Sequence, residues 1–168
     1  MFVRQNQQQF RNSNADVQIF YGDATATTAY QFKKSWNKPT GVSHVYMMLI
    51  GGGGYGDGTT TGGGSGAVTV WYGAAQNVPD QLYIAISDYT GQFATLISYR
   101  SGSSLINLLT ANQGSVSTGG TATSTALFAA SGFYSSTRGQ DGSAVSQGAS
   151  GTTFLSGGAG GGGGTVGN

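Results

Sequence analysis

Val45-Tyr46-Met47-Met48-Leu49-Ile50-Gly51-Gly52-Gly53-Gly54 is the stretch on which the reading turns. Six consecutive apolar residues are too few for a helix packed on one side, and four glycines close the run abruptly. A short apolar run bounded by breakers suits a β-strand, and its unbroken apolarity predicts a strand buried on both faces. The glycines that follow lack the side chains that would continue a ladder. They also cost more backbone entropy to order than any other residue.

Outward from that stretch, a period of two recurs. Val17, Ile19 and Tyr21 alternate with Gln18 and Phe20, and Tyr30 and Phe32 flank Gln31. Val68, Val70 and Tyr72 alternate with Thr69 and Trp71, and Leu82, Ile84 and Ile86 with Tyr83 and Ala85. Segments 93–99 and 105–109 complete about seven short strands, a spacing typical of sandwiches, jelly rolls and barrels. Turn chemistry sits between them. Pro39-Thr40-Gly41 places a fixed φ two residues ahead of a glycine free to take a positive one, and Tyr21-Gly22-Asp23 and Val78-Pro79-Asp80 are further breaks. Only 125–131, short and Ala-rich, reads as helix. The expected fold is all-β, a jelly-roll-like antiparallel β-sandwich. Its expected divisions are an N-terminal arm (1–15), the sandwich (16–113) and a glycine/serine/threonine-rich extension (114–168).

Composition narrows the function. Glycine accounts for 31 of 168 residues and proline for 2, without a three-residue repeat, which excludes collagen. Aromatic residues at 11% argue against plain disorder. Charged residues are 8%, against roughly 25% in an ordinary soluble domain. Such a surface is either neutral polar or buried against other subunits. There is no cysteine, so no disulfide framework, thiol nucleophile or Cys-zinc site exists. The polar, Gln-rich segment 1–16 lacks the apolar core of a signal peptide, and no 18-residue apolar run is present. With an extracellular composition, this predicts release by cell lysis or by a dedicated secretion machine.

The glycine tracts admit two readings. One is flexible linker. The other is a polyglycine-II-like helix, with three residues per turn and no internal hydrogen bonds, ordered by lateral bonding to neighbouring tracts. The second is the expectation here. The first tract runs directly between two strands, and the last follows Phe154-Leu155 with only residues 165–168 beyond it. The assembly residues expected on this basis are Gly51, Gly52, Gly53 and Gly54 with Gly160, Gly161, Gly162 and Gly163.

Trp36-Asn37-Lys38-Pro39-Thr40-Gly41-Val42, the strand 45–50 and the tract Gly51 to Gly56 around Tyr55 together resemble a module of glycine-rich virus and phage structural proteins, of fibre, adhesin or capsid-vertex type. Gly64-Ser65-Gly66-Ala67-Val68, the Val78-Pro79-Asp80 turn and the C-terminal tract extend the likeness over about residues 30–168. It departs from that pattern at Asn77 and Asp80, where a Pro-Gly turn is usual, and residues 1–15 have no counterpart. The resemblance implies a trimeric jelly-roll-like sandwich, packed polyglycine helices, and roles in virion attachment, at vertices or in fibres.

Catalytic readings are weak. His44 is the only histidine, and Ser43 beside it is expected to face the other way along a strand. Asp57 and Asp141 lie in Gly-containing turns without the acid spacing of a calcium loop. The tract after Ile50 carries no Lys-Ser or Lys-Thr, as a phosphate loop would. Arg4, Arg11, Lys33, Lys34 and Lys38 are too dispersed to make a nucleic-acid patch. The chain therefore reads as a non-enzymatic, self-assembling virion structural protein, either capsid-associated (vertex, decoration or minor capsid) or a fibre subunit. It is expected to use no cofactor, metal, nucleic acid or membrane. Its expected partners are copies of itself, as a trimer or pentamer, other virion proteins and a host surface glycan. The competing readings are a carbohydrate-binding adhesin, with Tyr55, Tyr72, Tyr89 and Tyr134 contacting glycan, and a subunit of an extracellular filament.

Overall fold

The structure, a computed structural model, describes residues 15–22, 34–56, 62–86 and 94–142. It is all-β with one short helix. Eight strands occur among these residues: β1 (Lys34–Asn37), β2 (His44–Ile50), β3 (Val68–Ala74), β4 (Gln81–Ala85), β5 (Thr95–Ser101), β6 (Ser104–Ala111), β7 (Ala122–Ser124) and β8 (Gly132–Thr137). Helix α1 (Ala126–Ala130) and a 3-10 turn (Ala75–Asn77) interrupt them. Two antiparallel sheets result, one of five strands in the order β1-β4-β5-β6-β7 and one of three in the order β2-β3-β8. Part of the stretch read as a C-terminal extension thus supplies β7, α1 and β8.

The sheets share one apolar core. Met47, Leu49 and Trp71 from the three-stranded sheet meet Leu82, Ile84, Ile97, Leu108 and Leu109 from the other, with Val78 and Phe128 closing the ends. Trp71 is fully buried at the centre. Its indole N–H donates to the Phe128 carbonyl at 3.0 Å, and its ring stacks on the Phe128 ring at 4.5 Å. That ring needs room. Gly73 and Gly132 pair across β3 and β8, and a Cβ at either would come within 3.0 Å of the indole. The glycine pair is thus a tray for the tryptophan. Gly41 takes φ +82° in the turn after Pro39, as the sequence requires.

Two expectations are corrected. Strand β2 is not buried on both faces: Met47 and Leu49 face the core, while Tyr46, Met48 and Ile50 are exposed. Residues 15–22 form no strand. Val17, Ile19 and Tyr21 are exposed, and Phe20, the residue of opposite phase, packs against the core.

Candidate assembly surfaces

The five glycine-containing segments all continue strand ends at one end of the molecule. Ile50 at the end of β2 pairs with Val68 at the start of β3, which pairs with Thr137 at the end of β8. Ala111 at the end of β6 pairs with Ala122 at the start of β7. Beyond these residues run segments 51–56, 62–67, 112–115, 117–121 and 138–142. Two threonines tie the sheets together here: Thr69 Oγ1 donates to the Thr110 carbonyl at 2.9 Å, and Thr95 Oγ1 to the Ile50 carbonyl at 2.8 Å.

Segment 62–67 is buried at the centre, bonded to all four others. The N–H groups of Gly51 and Gly54 donate to the carbonyls of Ala67 and Gly64, both at 2.8 Å. The N–H groups of Gly64 and Ala67 donate to those of Ser115 and Asn112, both at 2.9 Å. Each of these pairs repeats at an interval of three residues, whereas a β-strand repeats at two. Between them, Ser65 N–H donates to the Gln140 carbonyl and the Ser65 carbonyl accepts from Gly120 N–H, each at 2.9 Å. Successive backbone groups therefore point to different neighbours around the segment.

Close approach, not positive φ, is why glycine stands here. Among the described glycines only Gly41 and Gly102 have positive φ. A Cβ at Gly54 would overlap the Ser115 carbonyl, one at Gly64 the Thr118 carbonyl, and one at Gly139 the Ser65 carbonyl, all far inside the 3.0 Å that real Cβ atoms keep. Gly53 differs. It is exposed, and a Cβ there meets nothing nearer than 3.9 Å. The non-glycine residues add side-chain bonds: Ser65 Oγ accepts from Gln140 N–H at 2.7 Å, and Asp141 Oδ1 accepts from Gly119 N–H at 2.7 Å. The Gly119 N–H is the main reason the Asp141 carboxyl sits below its ordinary pKa. Partial desolvation opposes the shift, and Arg138, whose Nη2 donates to the same oxygen at 2.6 Å, reinforces it.

The second surface is the outer face of the three-stranded sheet. Tyr46, Tyr72 and Phe133 stand directly opposite one another across β2, β3 and β8. They are 58%, 46% and 64% exposed, and Met48 and Ile50 on the same face are 43% and 54% exposed. Val68 and Val70, also on this register, are buried. The His44 ring stacks on Tyr72 at 5.5 Å.

Of the residues singled out in the sequence, Gly51 and Gly54 lie bonded within the glycine segments, Gly52 accepts from Gly114 N–H at 3.0 Å, and Gly53 is at their margin. Gly160, Gly161, Gly162, Gly163 and Tyr89 lie outside the described residues. The three described glycan-candidate tyrosines do not share one face. Tyr72 belongs to the exposed row, and Tyr55 is exposed beyond the end of β2. Tyr134 pairs with Trp71 on the inward register and packs against the core. Ser43, which precedes β2, and His44 do not point apart. Ser43 Oγ lies 3.1 Å from His44 Nδ1. Lys38 donates to the carbonyls of Ala75 and Val78 and pairs with Asp80 at 2.9 Å, and Lys34 donates to the Tyr21 carbonyl. Both are thereby engaged in holding loops. Among the described residues no three His, Asp or Glu gather as metal ligands. Sequence reasoning missed Tyr46 and Phe133 as surface residues. Tyr46 is masked by its apolar neighbours, and Phe133 sits in a Ser-rich stretch. No protein-family model, no curated protein and no solved structure matches the chain.

Proposed function

We propose that this chain is a structural subunit that acts by associating with copies of itself, and that its setting is a virion, as a capsid-associated component or a fibre subunit. The observation that carries the proposal is the uncovered apolar face of Tyr46, Met48, Ile50, Tyr72 and Phe133. The β2 sequence invests in apolar residues on both sides of a strand of which only Met47 and Leu49 are buried. A chain with 8% charged residues has little else to keep such a face apart from another surface. The glycine segments support the same reading. Their three-residue bonding interval and mutual overlap at Cβ positions are what polyglycine-II-like packing requires, and backbone used as adhesive extends readily between subunits. The virion setting rests on the resemblance of about residues 30–168 to glycine-rich virus proteins, and the jelly-roll-like reading of the two sheets on that resemblance together with the strand spacing.

Light scattering on the purified full chain, coupled to size exclusion, tests the proposal. A discrete oligomer is expected, and a stable, well-dispersed monomer contradicts it. The exposed rings of Tyr46 and Tyr72 favour one second reading, a carbohydrate-binding adhesin in which they stack on sugar. A glycan array decides it: reproducible hits lost in Tyr72→Ala would establish that role over a purely architectural one.

A further inference from the structure

We infer that the outer face of the three-stranded sheet is covered by the same face of a second copy of this chain, in a two-fold, face-to-face pair. The inference rests on the self-association reading and gives it an address. Three observations converge on it. The first is area. At about 200 Å² for each large side chain, the exposed fractions of Tyr46, Met48, Ile50, Tyr72 and Phe133 leave about 500 Å² open on one face. That lies toward the upper end for apolar patches on monomers and supplies more than half of the roughly 800 Å² that one partner gives to a standard interface.

The second is charge. The outward register of β2, β3 and β8 from His44 to Ile50 and from Gly132 to Thr137 carries no Asp, Glu, Lys or Arg. A face meeting its own copy must not carry uncompensated like charges near the axis, and depletion of charge marks interface centres. The same lack leaves nothing to attract a nucleic acid or an anionic membrane. The third is shape. The aromatic row Tyr46, Tyr72, Phe133 runs straight across three paired strands with Tyr72 in the middle. Two such faces stack as sheets do, about 10 Å apart, with the rows interleaved. A two-fold contact of this kind is self-complementary, and it makes the assembly even-numbered instead of the trimer or pentamer expected from the sequence.

The test is the mass of the full chain by light scattering over a range of concentrations, for wild type, Tyr72→Glu, Phe133→Glu and Leu127→Glu. Leu127 is 88% exposed and lies on α1, outside the face. Near-ultraviolet circular dichroism establishes that each variant is folded. The expected result is an even-numbered wild type, with both face variants dissociating at about thirtyfold higher concentration or more and Leu127→Glu unchanged. Because the two face variants sit on different strands, loss of folding in one leaves the other to decide. An odd-numbered wild type, or an even-numbered one that both face variants leave intact, overturns the face-to-face pair and leaves self-association standing. A monomeric wild type overturns both, and a monomer that binds glycan through Tyr46 and Tyr72 assigns the face to sugar instead.

Discussion

The sheet core and the glycine segments solve one problem in opposite ways. In the core, side chains fill the space between backbones. Trp71 occupies the centre, donates its one N–H to Phe128, and leaves the strands to satisfy one another. In the glycine segments the backbones themselves fill the space. Only the small side chains of Ser65 and Ala67 stand within segment 62–67, and its buried N–H and C=O groups must find partners across segments. The core gains by burying apolar area and so tolerates small adjustments of side chains. The glycine segments gain by many backbone hydrogen bonds, each contributing about 0.5–1.5 kcal/mol net, against the high ordering entropy of glycine. They have no side chain to move aside, so one added methyl must displace backbone.

This contrast can be broken or sharpened by substitution. The largest loss is expected in the core. Trp71→Ala should cost about 3–5 kcal/mol, since it empties the centre of the core and removes the ring stacked on Phe128; chemical denaturation measures it. In the glycine region Gly64→Ala should cost about 3 kcal/mol, the upper end for overpacking, because its Cβ would meet the Thr118 backbone and not a flexible side chain. Gly53→Ala, at the margin of the same tract, should range from no change to a gain of about 1 kcal/mol. Equal losses at Gly53 and Gly64 would erase the distinction between packed and unpacked glycine. Ser65→Ala, isosteric in the backbone, should cost about 1–3 kcal/mol by leaving Gln140 N–H without its acceptor.

The smallest effect concerns acid. The folded state holds the Asp141 carboxyl below its ordinary pKa, so it contributes stability that is complete above the unfolded value and is lost as pH falls through the folded one. Asp141→Asn keeps an oxygen acceptor for Gly119 and removes the charge. Its thermal midpoint should therefore fall less than that of wild type as pH drops through the acid range below the usual carboxylate value. Parallel acid curves for the two would show that Asp141 does not couple the segments.

How much of this was legible depended on what carried the signal. Strands β2 to β6 were readable because their apolar residues either alternate or run together, and Pro39 and Gly41 marked a turn that the structure contains. Strands β7 and β8 were not, because Ala122–Ser124 and Gly132–Thr137 are mostly small or hydroxylated and draw their order from Leu109, Trp71 and the pairing itself. The exposed row was hidden for the opposite reason. Six apolar residues in a row imply two covered faces, yet only Met47 and Leu49 of that run are buried. The roles of individual glycines were equally hidden. Gly53 and Gly54 are identical neighbours in sequence, and only the distance to Ser115 separates them.

Amide hydrogen exchange, followed residue by residue in the intact chain, tests most directly whether bare backbone holds this region together. The N–H groups of Gly51, Gly54, Gly64, Ser65, Ala67, Gly114, Gly120 and Gly139 (the last bonded to the Gly120 carbonyl) should exchange as slowly as those of β3, since each donates to a backbone carbonyl. Exchange at these positions as fast as in an unstructured glycine peptide, while β3 stays protected, would contradict the account.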